Sequence, residues 1–557
     1  MDDSAARTKV EWREWGEDAF AAADRAGKPV LLSLSAPWCA HCHEMDATTY
    51  SEPRIAANVN DGFVPVRVDV DRHPRVRERY NMGGFPSTVF CTPDGDIVTG
   101  AGYLGVDGFR GILDKVRETW DAKGEEAGRV PRSLRDGTPP AGEVLPRIEE
   151  HMVEQLLGAF DEEFGGWGPD TKFPLPRTVE FALVRARDQA TRTLEAIQAH
   201  LLDTYGGGFY RFATNRDWSD PHREKLLDEN AGLVRAFARA YRYTGEESYR
   251  TAAEQTVEYL TTTLWTGDVT EPSSVGSQSA SRSGDAFAAS QLGDDQYYSL
   301  GPTDREDTEP PHVDETVLAD RNGLAAGALL AYHAYTDDER ARRYAERALD
   351  HVTDTLVDDG AVTHYRTDED VGTESLLLDQ ARVLEGLTTA WQVTGEYAET
   401  ARAVADHTLA ELQDDSGAFR DGPVDGPGLC DQPLYPLDTN VELADALLDL
   451  AALTGEERYA DAAEDAVAAF AGAAERMGVE VAGYAGVASR LLSPRTFRIG
   501  SEAGTDLHRA ALRIADHEAV VVPDADVPAG EAHVFEDGEP VGTAETPDEL
   551  ATLATDA

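Results

Sequence analysis

Apolar positions in the first 120 residues change period repeatedly. Trp12–Lys28, "WREWGEDAFAAADRAGK", repeats on the helical three-to-four spacing, and Pro29–Ala36, "PVLLSLSA", is a short apolar run of strand type. The stretch from Cys42 through Tyr50 reads as the start of a helix, Phe63–Val70 as a second strand and Pro74–Tyr80 as a short helix. "STVFCTPDGDIVTGAGY" is a hairpin turning at Asp94-Gly95, and "GVDGFRGILDKVRETW" closes as a helix. The predicted order is β-α-β-α-β-β-α with an added N-terminal helix.

Residues 121–145 are rich in Gly, Pro and charge and read as a linker. Beyond them the pattern is helical and repeats. Segments opening at Glu229, Asp320, Asp379 and Asp438 each begin a helix, and each is followed by a turn, Thr244-Gly-Glu, Thr336-Asp-Asp, Thr394-Gly-Glu or Thr454-Gly-Glu. The last three openings are 59 residues apart, and the first lies 91 before the second because a Gly/Ser-rich insertion (268–312) intervenes. Further helices near 145–160, 176–203, 485–495 and 504–515 bring the count to about twelve, enough for six stacked hairpins. The predicted fold is multidomain: an α/β domain over 1–122, a linker over 123–145, an all-α (α/α)6 toroid over 146–525, and a C-terminal tail segment over 526–557. An open solenoid is the alternative for the helical part.

Composition changes the picture through charge. The 557 residues carry 104 acids against 50 bases, a formal net charge of -54, and only six of the bases are Lys. With 41% apolar residues and periodic helices, this is a folded chain with an acidic surface, not a disordered acidic one. Such a surface is screened in concentrated salt and looks like that of proteins from salt-loving archaea. It argues against DNA, RNA or anionic membranes as partners. The N-terminus lacks the apolar core of a signal peptide, and four cysteines (Cys39, Cys42, Cys91, Cys430) are too few for a disulfide scaffold. The expected setting is the cytoplasm.

The densest chemistry is "SAPWCAHCHEM", Ser35–Met45. Cys39-Ala-His-Cys42-His43 can be read as a redox pair, a covalent haem site, half of a zinc site, or a buried structural pair. Haem attachment is disfavoured by the cytoplasmic setting, and zinc by the lack of a second CxxC or Cys/His pair near His41 and His43. No metal or cofactor is therefore expected. Both cysteines fall at a strand-to-helix junction, where unpaired amide N–H groups and the helix dipole favour a thiolate at Cys39. Cys42, one turn on, is then the resolving thiol. Exchange requires an exposed Cys39 Sγ within bonding reach of Cys42; a buried Cys39 would sink this reading. Cys91 reads as a core thiol.

Trp38-Cys-x-x-Cys42 after a strand, with Gly84-Phe85-Pro86-Ser87-Thr88 opening a later one, resembles the thioredoxin fold. The resemblance implies a cis Pro86 beside the thiol pair, with Trp38 and His43 as supporting neighbours. It also implies a buried acid in the strand before the motif, which Leu31–Ser35 lacks.

Helix-opening loops of the second part hold candidate pocket residues: Trp167, Asp170, His222, Glu224, Lys225, Asn230, His312, Asp314, Glu315 and Asn322. Asp and Asn in such loops also serve as ordinary N-caps. "FDEEFGGWGPDTKFPLP", "DPHREKLLDENAGL" and "PPHVDETVLADRNGLAAGAL", taken with the CxxC start, resemble a family that joins a thioredoxin-like domain to a six-hairpin toroid and includes the spermatogenesis-associated protein 20-like proteins. The toroids of that family resemble those of sugar epimerases and six-hairpin glycosidases. The chain departs from the family pattern at Arg223, Asp228, Thr316, Arg321 and across Ser277–Arg282.

Three functions follow as expectations. The first is a thiol–disulfide oxidoreductase whose toroid recognises an unknown thiol or disulfide protein or a small molecule. The second is a carbohydrate isomerase, epimerase or glycosidase with an accessory thioredoxin-like domain, in which His222 and His312 face each other across a funnel. The third is a non-catalytic binding scaffold.

Overall fold

The computed structural model describes residues 8–135, 137–267 and 285–556. The chain separates into two compact units. The first runs to Thr138 and also contains two later segments, Leu292–Asp294 and Asp421–Leu434.

In the first unit the elements are β1 (Arg13–Glu14), α1 (Glu17–Ala26), β2 (Val30–Ser35), α2 (Ala40–Thr48), α3 (Pro53–Gly62), β3 (Val64–Asp69), α4 (Pro74–Tyr80), β4 (Ser87–Cys91), β5 (Ile97–Ala101) and α5 (Val106–Lys123). The strands form one five-stranded sheet in the order β1-β3-β2-β4-β5. The pairs β1/β3 and β2/β3 are parallel, and β2/β4 and β4/β5 antiparallel. Central β2 is apolar almost throughout because both of its faces are covered. Leu31 and Phe90 join Met45, Tyr50, Ile55, Phe63, Phe109 and Leu113 in one core.

Two expectations change here. The region after the cysteines is two helices, since Glu52 caps a new one through its carboxylate to Ile55 N and Pro53 opens it. The expected linker over 123–145 is partly built into this unit. Gly124–Ala127 is a 3-10 turn, and Arg129 and Ile97 exchange two backbone hydrogen bonds of 3.0 Å each.

The second unit is largely helical. The helices Pro176–Arg185, Leu227–Thr244, Ala319–Thr336, Leu377–Thr394, Leu437–Thr454 and Ala482–Leu492 each contact the next in this order, and the last contacts the first. These six are called the inner helices; each packs most extensively against one further helix, Arg147–Ala159 in the case of Ala482–Leu492. Gly323 and Gly386 allow two inner helices to approach closely: a Cβ on either would meet a backbone carbonyl of the other helix at 2.6 Å. The Thr-Gly-Glu turns end three inner helices with Gly245, Gly395 and Gly455 in the left-handed region, and Asp337 takes that conformation in the fourth.

The chain beyond the last inner helix also differs from expectation. Asp506–Ile514, expected as a hairpin helix, packs on a four-stranded sheet built from Arg495–Ile499, Val520–Val522, Ala532–Glu536 and Glu539–Ala544. The tail over 526–557 is thus the second half of an α/β layer that begins near 495. Of the insertion, residues 268–284, which include the Ser277–Arg282 motif, lie outside the described residues. Ser290–Gln291 is the middle strand of a small sheet between Lys225–Leu226 and Val313–Asp314. Among the described residues no helix is long and apolar enough to cross a membrane.

Candidate active site

Strand β2 delivers the chain to Cys39, which is the N-cap of α2 in an extended conformation. Its Sγ accepts a hydrogen bond from the Cys42 N–H at 3.2 Å. Cys39 and Cys42 are joined as a disulfide with their Cα atoms 5.2 Å apart. The Cys42 N–H and the positive end of α2 therefore stabilise negative charge on Cys39 Sγ once the bond is reduced.

The surrounding side chains fix this loop. Trp38 is buried, donates its indole N–H to Asp71 Oδ2 at 2.8 Å, and meets Phe85 edge-on at 6.0 Å. The Phe85–Pro86 bond is cis. His43 Nε2 lies 2.9 Å from the Pro37 carbonyl oxygen, which can only accept, so that nitrogen carries the proton. His41 is exposed, 3.5 Å from the Glu44 carboxylate and edge-on to the exposed ring of Tyr103.

Exposure of Cys39 is corrected. The residue is only 5% accessible and Cys42 3%. The neighbouring Trp38 is tucked onto Asp71, and buried Gly293 brings its N–H to 3.5 Å from the Trp38 carbonyl. Asp71 was missed in the sequence, because it follows β3 instead of lying in the strand before the motif. Its signal was the run of acids in "VDVDRHP". Asp46, a second buried acid on α2, is held by Arg67 in a two-pronged ion pair. Cys91 is a core thiol of β4, and burial pushes its pKa up.

The candidates in the helical unit divide by environment. Asn230 and Asn322 are not free pocket groups and not N-caps; each is the fourth residue of its inner helix. Asn230 Oδ1 accepts from Phe209 N at 2.6 Å, and its Nδ2 donates to the Phe209 and Leu226 carbonyls. Asn322 does the same with Phe287 and Leu318, and Asn440 with Phe419 and Pro436. This position pins the preceding loop to the helix start.

Lys225 is buried and donates to Asp203 at 2.9 Å and to the Gly207 carbonyl at 2.7 Å, above the Tyr259 ring. Burial lowers its pKa to about 8 against the pull of Asp203. Trp167 is core, with its indole N–H on the Leu156 carbonyl. Asp170, His312 and Glu315 are exposed, and Asp314 accepts from the N–H and hydroxyl of Thr316 two residues on.

One group of candidates is brought together. His222 stacks on Phe212 at 4.0 Å between ring centres, and its Nδ1 is 3.7 Å from Glu224. Arg211 bridges Glu224 and Glu229 at 3.4 and 3.3 Å. Burial opposes ionisation of Glu224, but His222 and Arg211 outweigh it and hold the pKa low. At Glu229 burial wins: the pKa is raised to about 8, with Arg211 pulling down and Asp228 and Glu224 pushing up. Beyond this group several carboxylates of the inner helices are tied to arginines. Arg382 binds Asp320 at 3.0 Å and Glu442 at 2.9 Å, and Arg235 binds Glu180 at 2.8 Å and also Glu385.

Comparison with known proteins adds the family of the first unit. Residues 3–136 match the family model described as Thioredox_DsbH, Protein of unknown function, DUF255. Spermatogenesis-associated protein 20 of Homo sapiens is 30% identical over 292 residues, covering 46% of this chain and 37% of that protein. The Mus musculus protein of the same name is 29% identical, again over 37% of its length, so the chain spans little more than a third of these relatives. Protein disulfide isomerase-like 2-2 of Oryza sativa is 30% identical over 141 residues, 23% of this chain and 37% of that protein. Among solved structures, a sugar epimerase from a ruminal bacterium gives a TM-score of 0.45 at 14% identity, covering 57% of this chain and 84% of its own. Cellobiose 2-epimerase from Spirochaeta thermophila gives 0.43 at 18%, over 60% and 86%. The chain thus carries an N-terminal thioredoxin-like domain with a CxxC motif, followed by a largely helical domain.

Proposed function

We propose that this protein is a thiol–disulfide oxidoreductase acting through Cys39 and Cys42, and that its helical domain is an (α/α)6 toroid that recognises the thiol or disulfide partner. The observation that carries the reading is the bonded pair at the N-terminus of α2, with Cys39 Sγ accepting from the first-turn N–H of Cys42. In the reducing direction the Cys39 thiolate attacks one sulfur of a substrate disulfide and expels the other as a thiolate. Cys42, deprotonated, then attacks Cys39 Sγ, releases the second substrate sulfur and closes the Cys39–Cys42 disulfide. Two electrons pass to the substrate, and the oxidised pair awaits an external dithiol. Cys39 is only 5% accessible, short of the exposure expected from the sequence, so a protein disulfide reaches it only after the chain around it opens.

Trapping tests this. Cys42→Ser, reduced and then treated with glutathione disulfide, is expected to gain one glutathione at Cys39 by mass spectrometry, and Cys39→Ser none. Absence of the Cys39 adduct under conditions that label an exposed control cysteine would sink the reading.

A second reading, a carbohydrate isomerase, epimerase or glycosidase, is favoured by one observation: the grouping of His222, Glu224 and a Glu229 whose carboxyl is held near a pKa of about 8. Turnover of a sugar that survives Cys39→Ser and is lost in Glu229→Gln would support it over the first.

A further inference from the structure

We infer that Asp320, His364 and Asp379 form a binding site for a divalent transition cation that ties two inner helices of the second unit together. One imidazole nitrogen of His364 and one carboxylate oxygen each from Asp320 and Asp379 lie within 4.8 Å of one another. Asp320 is in the first turn of Ala319–Thr336 and Asp379 in the first turn of Leu377–Thr394. His364 comes from the loop before the second helix. The donors therefore belong to three separate elements, and an ion between them holds all three.

Burial makes the cluster demanding. Asp320 is 3% accessible, His364 1% and Asp379 fully buried. Two carboxylates taken that far out of water need cations or a dense set of donors. Asp379 has His364 Nδ1 at 2.8 and 3.0 Å from its two oxygens, and the Asp320 N–H at 3.0 Å. Asp320 has Arg382 on Oδ2 at 3.0 Å, while its buried Oδ1 has no hydrogen-bond partner. That arginine is shared with Glu442 and Asp228. The vacant lone pairs of Asp320 Oδ1 are thus the part of the cluster that protein donors leave unanswered.

The same contacts hold the donors in place: Ala319 N–H binds the His364 carbonyl at 2.8 Å, and Arg382 orients Asp320. An imidazole with two carboxylates suits Zn2+ and its neighbours better than Mg2+ or Ca2+, which prefer all-oxygen sets. The three residues would supply three donors, as in zinc sites whose fourth position is taken by water. The sequence expectation of no metal rested on the histidines around Cys39, whereas these ligands are spread over 59 residues of the helical repeat.

The test uses the full-length chain dialysed against chelator and titrated with Zn2+ and with Co2+. One equivalent of tightly held ion, visible d–d absorption with Co2+, and a rise in melting temperature with Zn2+ are expected. His364→Gln should lose that equivalent, and His312→Gln, at an exposed site, should keep it. Should His364→Gln not fold, Asp320→Asn takes its place, and both titrations are run in a Cys39→Ser/Cys42→Ser chain so that the cysteines hold no ion. Wild type that binds no stoichiometric ion, or whose binding is unchanged in His364→Gln, overturns the site and leaves a proton-held His–Asp pair.

Discussion

Trp38, the residue before the first cysteine, donates its buried indole N–H to the carboxylate of Asp71 at 2.8 Å. The bond turns a large aromatic side chain inward beside Cys39, which is itself buried. Asp71→Leu removes the acceptor and is expected to cost about 1–3 kcal/mol in denaturant unfolding. Asp71→Asn, which retains a carbonyl oxygen, should cost less. Faster alkylation of reduced Cys39 should accompany the Leu variant; equal losses in both variants would show that the hydrogen bond does not hold Trp38.

Arg79 and Asp421 stand 342 positions apart, and both lie in the first unit. The guanidinium is fully buried, pairs with both carboxylate oxygens, and also donates to the Leu429 carbonyl at 2.7 Å and the Gln432 carbonyl at 2.6 Å. Asp421→Ala strands that charge and should destabilise by about 3–5 kcal/mol. Arg79→Met combined with Asp421→Leu should recover part of the loss in a double-mutant cycle. Additive losses would contradict direct coupling.

Asn322 has a structural job in this account. Asn322→Ala leaves the buried Phe287 N–H and carbonyl unmatched, at about 1–3 kcal/mol for each group. Melting temperature should fall in Asn322→Ala and similarly in Asn440→Ala. Disulfide reduction measured below both transitions should be unchanged. A selective loss of activity at full stability would make Asn322 a functional residue.

Glu229 gives a pH signature. Its carboxyl is raised from 4.5 to about 8 in the folded chain, chiefly by burial. Between those values the folded state holds a proton that the unfolded state has released, so this group's contribution to stability falls as pH rises through that window. Glu229→Gln should flatten the decline in melting temperature from pH 4.5 to pH 8 and gain most at the alkaline end. Parallel curves for the two proteins would refute the raised pKa.

What was legible in the sequence was local. The apolar runs of β2 and β3, the Pro-initiated α4 and the Asp94-Gly95 hairpin announce themselves within a few residues, as do the Thr-Gly-Glu helix ends. Asp71 and Gly293 acquire their meaning only when distant chain comes to Trp38. Asn230 and Asn322 resemble N-caps in sequence because the one-turn difference between capping a helix and pinning a loop depends on where the helix begins. His364 carries no motif; its partner Asp379 is 15 residues on, across a loop. The C-terminal strands are short and partly polar, and pairing with one another defines them more than period does.

The central claim is tested most directly by reduction of insulin disulfides with dithiothreitol as electron donor, wild type beside Cys39→Ser, across a range of salt concentrations. The account predicts that wild type accelerates insulin precipitation and that Cys39→Ser proceeds at the rate of dithiothreitol alone. Equal rates for the two proteins, with wild type no faster than dithiothreitol alone at every salt concentration, would contradict it.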